Sequence, residues 1–308
     1  MRLVNRGDAD HSAVLHLALG ARPPGRTHQM DSMVTDLLAD GRDRGLSLDL
    51  LFGAFRGSTC LTAALAIESP GHAALLMAPQ RGVARGYRAA TTACLNALRQ
   101  AAGKRSIVLQ EMLIPTDSQE LAEAAAGSGF RFLTRLLYLR RPSDTTIPLR
   151  APRAEPHWVP FTDSRADFFA EAIQRTYAQS LDCPELTGLR PMPDVLAGHR
   201  AAGPFDPALW SVAMLHAQPV AVLLLSRHAR QETVEMVYMG VAQVARGTGV
   251  ADAVMRRALE AAGQVGANML ALAVDRRNIP ARKLYAAWGF TQFAACDAWI
   301  VTSPPTEG

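Results

Sequence analysis

No stretch of the chain reaches the ~18 consecutive apolar residues that a membrane-crossing helix needs. The best apolar runs, Val220–Leu225 and Met269–Val274, have the length of strands. The patch Ala13–Leu19 is interrupted by His16 and no small-residue cleavage site follows it, so it reads as a surface helix and not a leader. Cysteine is scarce and unpatterned: Cys60, Cys94, Cys183 and Cys296 show no Cys-x-x-Cys spacing and no histidine neighbours. That argues against a zinc site or a disulfide framework and for reduced thiols in a cytoplasm. Lysine is nearly missing, with only Lys104 and Lys283 among the 32 Lys and Arg. No basic run is interleaved with aromatics, so neither nucleic acid nor a membrane is an expected partner.

What is present is a globular composition. The chain is 49% hydrophobic and 19% charged over 308 residues, which excludes disorder as the main state and suits two domains of ~150 residues. Residues 1–150 carry 18 Lys and Arg against 13 Asp and Glu, and residues 151–308 carry 14 against 15. Between the halves, Pro142, Pro148, Pro152, Pro156 and Pro160 crowd a stretch without apolar periodicity, which reads as an extended connector.

The halves repeat. Val83–Gly86 (Val-Ala-Arg-Gly) recurs as Val244–Gly247, an offset of 161, and Gly129-Phe130 recurs as Gly289-Phe290, an offset of 160. Helix Ala251–Ala262, strand Asn268–Val274, helix Pro280–Trp288 and strand Thr291–Val301 match Ala89–Ala101, Ser106–Leu113, Ser118–Ala126 and Arg131–Arg140. The expected organisation is therefore a domain at 1–141, a linker at 142–160 and a second domain at 161–308.

In the second half a strand, Glu232–Val241, runs into Arg246-Gly247-Thr248-Gly249-Val250-Ala251 and then a helix. Strand, glycine turn and helix N-terminus together aim backbone N–H groups at an anion, and glycine lets a phosphate approach closely. The pattern is neither a P-loop nor a dinucleotide fingerprint, because the Lys-Ser/Thr ending and the third glycine are missing. About thirty residues on, behind another strand, stands Asn278-x₂-Ala281-x₂-Leu284-Tyr285-x₃-Gly289-Phe290.

With these motifs the stretch Trp210–Val301 resembles the GNAT superfamily of acetyl-CoA-dependent N-acetyltransferases. The resemblance implies two α/β (mixed α+β) domains, each with a central, largely antiparallel sheet flanked by helices. It implies acetyl-CoA as cosubstrate, no metal, and an amine-bearing acceptor, small molecule or peptide. Met239, Gly240 and Val241 would bind the pantetheine as an added strand, with the Val241 N–H polarising the thioester carbonyl. Arg246, Gly247, Thr248, Gly249, Val250 and Ala251 would hold the phosphates, and Asn278 would contact the pantetheine or phosphate arm.

Tyr285 matches the family's general acid for the departing thiolate, and Glu235 stands where some members carry the base. Strand alternation groups Glu235 with Thr233, Val237 and Met239 on one face, where apolar neighbours would desolvate it and raise its pKa. On the acceptor side, Tyr177, Asp182 and Glu185 are candidate contacts. His157, His199, His216 and His228 lack metal-ligand spacing and read as surface or core filling.

The first half lacks this set. At the repeat offsets Gly249 falls on Arg88, Glu235 on Ala74, Tyr285 on Ala125 and Asn278 on Ser118. The expected molecule is a cytoplasmic tandem protein with a degenerate first copy and a catalytic second. Mycothiol synthase shares such an architecture, but no motif here fixes its substrate. The alternatives are a mycothiol-synthase-like small-molecule acyltransferase and a non-catalytic acyl-CoA-binding or regulatory module; retention of Glu235 and Tyr285 beside an intact turn argues against the second.

Overall fold

The run Val220–Leu225 becomes the middle of a strand buried on both faces, as a stretch with no polar alternation must be. The structure is a computed structural model that describes residues 2–5, 7–20, 44–80, 86–143 and 154–303. It divides into two units, one of Met1–Thr134 with Cys296–Gly308, the other of Arg135–Ala295.

The first unit holds β1 (Arg2–Leu3), β2 (Ser47–Arg56), β3 (Thr59–Ser69), β4 (Ala73–Met77) and β5 (Leu109–Pro115), and most of β12 (Thr291–Thr302). Its sheet runs β1-β2-β3-β4-β5-β12, antiparallel except for β4 beside β5. Helix α1 (His11–Ala18) is more than a surface helix: Val14, Leu15 and Ala18 are buried with Leu51 and Leu65. Helix α2 (Tyr87–Gly103) buries Thr91, Cys94, Leu95, Leu98 and Ala102 at helical spacing, and α3 (Gln119–Gly127) buries Leu121, Ala124 and Ala125.

The second unit holds most of β6 (Arg131–Pro142), then β7 (His157–Pro160), β8 (Trp210–Leu215), β9 (Gln218–His228), β10 (Thr233–Val241) and β11 (Met269–Asp275). Its sheet runs β7-β8-β9-β10-β11-β6, with β10 and β11 the parallel pair. Its helices are α4 (Ala166–Tyr177), α5 (Met192–Ala201), α6 (Val250–Gln264) and α7 (Ile279–Ala287). On α4, Phe169, Ile173 and Thr176 recur on one side; on α6, Val250, Val254, Ala258 and Leu259 do the same. Among them the larger apolar side chains, Phe169, Ile173, Val250, Val254 and Leu259, each contribute ~1.5–3 kcal/mol by burial. Phe161 meets Phe169, Trp210 and Phe205 edge-on at 4.9, 5.2 and 5.6 Å, which fixes the far end of this core.

Both units thus have one strand order. Each is completed by the last strand of the other repeat: β12 pairs with β5 and β6 pairs with β11. The units therefore part at 134/135 and 295/296, not between 1–141 and 161–308. Pro142 and Pro160, expected in a connector, end strands and pair with Met269 and Ser211. Pro148 and Pro152 lie outside the described residues. Among those residues no helix is long and apolar enough to cross a membrane.

Candidate active site

Strands β10 and β11 are neighbours only from Thr233–Met269 to Met236–Leu272. Beyond that β10 continues to Val241 paired with β9, and β11 continues to Asp275 paired with β6, so the two strands part. The parting begins at a bulge: Met236 faces Leu225 and Tyr238 faces Leu224, which leaves Val237 as the extra residue. Directly opposed residues share a face, so Glu235, Tyr238 and Gly240 line one face and Met236, Met239 and Val241 the other. Plain alternation, which groups Glu235 with Val237 and Met239, fails by that one residue.

The Ala242 N–H bonds to the Val220 carbonyl at 2.8 Å and sets the phase of the ladder. Gly240 turns its backbone groups toward β9, whereas Met239 and Val241 turn theirs toward the opening. Gly240 is needed for another reason. A Cβ there would lie 2.4 Å from Thr176 Oγ1 and 2.6 Å from Tyr238 Oη, which are hydrogen-bonded to each other at 2.5 Å.

At the end of β10 the glycine turn opens helix α6. Gly247 and Gly249 take φ of +78° and +96°, and Gly249 is the N-cap. With no side chain capping this end, the N–H groups of Val250 and Ala251, in the first turn, have no acceptor within the helix and are available to an anion. Thr248 Oγ1 donates to the Ala245 carbonyl at 2.7 Å. The Arg246 guanidinium faces protein carbonyls: Val241 at 3.1 Å, Gln179 at 2.9 Å, Ala178 at 2.8 Å and Thr176 at 3.1 Å.

Across the opening, Asn278 caps α7 by accepting from the Ala281 N–H at 3.2 Å. Tyr285, about two turns later, is buried and donates to Met239 Sδ at 3.9 Å. Burial pushes its pKa up, so the hydroxyl keeps its proton at neutral pH.

Of the acceptor-side candidates, Tyr177 ends α4, while Asp182 and Glu185 lie in the segment after it and are tied down. Fully buried Asp275 donates its N–H to Asp182 Oδ1 at 2.9 Å and accepts the Cys183 N–H at 3.2 Å. Arg277 reaches Asp275 at 2.7 Å and grips Glu185 with two parallel bonds of 2.6 and 2.9 Å, which pulls the Glu185 pKa down. Asp182 is open on one side, yet crowding around its carboxyl group raises its pKa. Burial also raises that of Tyr177.

Glu235 is less secluded than its apolar strand suggests: its side chain is 43% exposed and bonds His228 Nε2 at 3.1 Å. His228, set aside in the sequence, is thus its partner across the β9–β10 turn. His199 on α5 tilts over Tyr238 with ring centroids 5.0 Å apart; its Nε2 has no hydrogen-bond partner among the described residues. Burial lowers its pKa to about 4, so it is neutral at pH 7.

The repeat is also corrected by the structure. Gly86, φ +92°, is the N-cap of α2 and matches Gly249; Arg88 lies inside the helix, bonded to Glu123 at 2.5 Å. Val83, Ala84 and Arg85 fall outside the described residues. In the parallel ladder Leu75 sits opposite Glu111 as Glu235 sits opposite Ala271, so Glu235 corresponds to Leu75 and not to Ala74. Ala125 and Ser118 remain the counterparts of Tyr285 and Asn278 in the repeat, at the same positions in their helices.

Residues 174–290, from the last turn of α4 to the residue before β12, match the Acetyltransferase (GNAT) family. This stretch is a GNAT domain. The GNAT domain takes in both arms of the opening, the glycine turn and Tyr285. Over 90 residues the chain is 32% identical to N-acetylaspartate synthetase of Rattus norvegicus and 31% identical to that of Homo sapiens. Each match spans 29% of this chain and 30% of the relative's length. The fold extends further. A GCN5-related N-acetyltransferase from Sphaerobacter thermophilus superposes with a TM-score of 0.61 at 15% identity, over 94% of this chain and 90% of that one. A tandem GNAT protein from the clavulanic acid biosynthesis pathway gives 0.53 at 15% identity, over 99% and 98%. The chain has the tandem GNAT fold.

Proposed function

We propose that the GNAT domain of the second unit transfers acetyl from acetyl-CoA to an amine by direct attack, without a covalent enzyme intermediate. The observation that supports this most is the parting of β10 from β11 with an uncapped helix N-terminus at its end. The Met239 backbone groups suit an amide of a pantetheine arm, and the N–H groups of Val250 and Ala251 suit a diphosphate. When bound, acetyl-CoA supplies an activated acyl group whose carbonyl gains negative charge as nitrogen adds. The Val241 N–H stabilises that charge. Tyr285 gives its proton to the departing sulfur, and Glu235, partnered by His228, takes the ammonium proton through water. Tyr177, Asp182 and the segment around them flank the amine. Free thiols and a CoA-linked substrate suit a cytoplasmic setting.

The test is free-thiol release from acetyl-CoA against aspartate, amino sugars, aminoglycosides, polyamines and amino-acid amides. Aspartate is included because the curated relatives are N-acetylaspartate synthetases. Saturable, amine-dependent release supports the proposal. CoA binding without release from any amine supports a binding module instead, and neither binding nor release removes both readings.

A further inference from the structure

Arg246 sits inside the glycine turn, where a cation would ordinarily be read as a phosphate ligand. Its guanidinium is directed elsewhere. Nε donates to the carbonyl that ends β10, and the two terminal nitrogens donate to the carbonyls of Thr176, Ala178 and Gln179, the last turn of α4 and the residues after it. A cation there satisfies carbonyls that the helix leaves without partners and matches the negative end of its dipole. Gln243, from the same turn, adds a bond of 2.9 Å from its Nε2 to Gln179 Oε1. The far end of the segment is fastened to the other arm of the opening by Asp182, Cys183 and Glu185, through Asp275 and Arg277.

We infer that Arg246 is a positioning residue: it transmits occupancy of the glycine turn to segment 178–185, so that filling the CoA site orders the strap on which the acceptor is recognised. The inference rests on the proposed acetyl-CoA site. A ligand on the N–H groups of Val250 and Ala251 holds the turn in one conformation, and the Arg246 backbone is continuous with that turn. Three of its four side-chain bonds carry the restriction to residues 176–179, and the fourth anchors the guanidinium to the end of β10.

The experiment uses the full chain with CoA as the probe. Amide hydrogen exchange across 178–185 is measured with and without saturating CoA, and CoA affinity is measured by calorimetry. CoA should slow exchange in 178–185 at least tenfold in the parent. Arg246→Lys keeps the charge but cannot span four carbonyls. It should keep CoA affinity within about threefold while losing most of that protection, and Arg277→Lys should leave the protection near residue 178 intact. Parent protein that binds CoA with no change in exchange at 178–185 overturns the inference. A fall in CoA affinity of thirtyfold or more in Arg246→Lys, with the protection still reached at saturation, also overturns it, since Arg246 would then be a phosphate ligand. Parent protein that does not bind CoA removes the proposed function itself. Should Arg246→Lys fail to fold, the exchange pattern of the parent decides alone.

Discussion

The Tyr285 hydroxyl points at the sulfur of Met239, 3.9 Å away, from the helix that follows β11 to the strand that parts from it. A thioether is a weak acceptor, so a buried phenol whose one partner among the described residues is that sulfur can turn its proton to another sulfur at little cost. Tyr285→Phe should therefore lower turnover ~10–10³-fold while acetyl-CoA affinity stays within a few-fold, because only a proton delivered in the transition state is removed. The thermal midpoint should barely move. Unchanged turnover would show that the thiolate leaves unassisted; a collapsed midpoint would show that the ring is chiefly a core residue.

Much of this site was legible. The Arg246–Ala251 turn and the Asn278–Phe290 helix are local patterns, and the structure places both beside the opening. What failed was whatever depends on one residue of register. The Val237 bulge moves Met239 away from the Glu235 face, and nothing in a run of Val, Met and Tyr marks where a ladder slips. Sequence matching aligned Gly86 with Gly247, but the helix starts one residue after Gly86 and three after Gly247, so conformation pairs it with Gly249. Strand exchange was invisible because β6 and β12 hold equivalent places in the two repeats, and nothing local says which sheet each joins. The Arg277–Glu185 ion pair joins residues whose proximity only the fold creates, and the His228–Glu235 contact depends on where the β9–β10 turn falls. The hairpin spacing of 228 and 235 was the one available hint.

Gly86 and Gly249 share a conformation, and this allows the two units to be compared directly. At φ near +90°, any other residue is strained by ~1–2 kcal/mol, and an arginine side chain also obstructs the helix N-terminus. Gly249→Arg should abolish measurable CoA binding, whereas Gly86→Arg should leave both affinity and a stoichiometry of one intact. Calorimetry of the two variants checks this. Two equivalent sites in the parent, or loss of binding in Gly86→Arg, would move the site to the first unit or divide it.

Stability should depend on acid through His199. Unfolded, its imidazole takes a proton below about 6.5; folded, burial delays that to about 4. Its stabilisation is therefore complete above pH 6.5 and is lost as pH falls toward 4. At about 1.4 kcal/mol per pKa unit the loss is on the order of 3 kcal/mol. Carboxylates titrate over the same range, so the parent is compared with His199→Gln. The gap in thermal midpoint between them should narrow steadily from pH 7 to pH 4, and a constant gap would refute the assignment.

Glu235 and His228 make the last case. An amine of high pKa arrives as an ammonium and must lose a proton before it can attack, so removal of the base should matter most there. Glu235→Gln should cut the rate ~10²–10⁴-fold on such an acceptor and much less on one whose amine is already neutral. His228→Asn separates two roles for the histidine. If His228 only orients the carboxylate through its 3.1 Å bond, the loss should be small and alike for both acceptors. If the pair shares the proton, the loss should follow amine basicity as it does for Glu235→Gln, and the double variant should be little worse than Glu235→Gln alone. Full activity of Glu235→Gln on a strongly basic amine would remove Glu235 as the base. Asp182, whose carboxyl group is already pushed toward its protonated form, would then be the next carboxylate to replace.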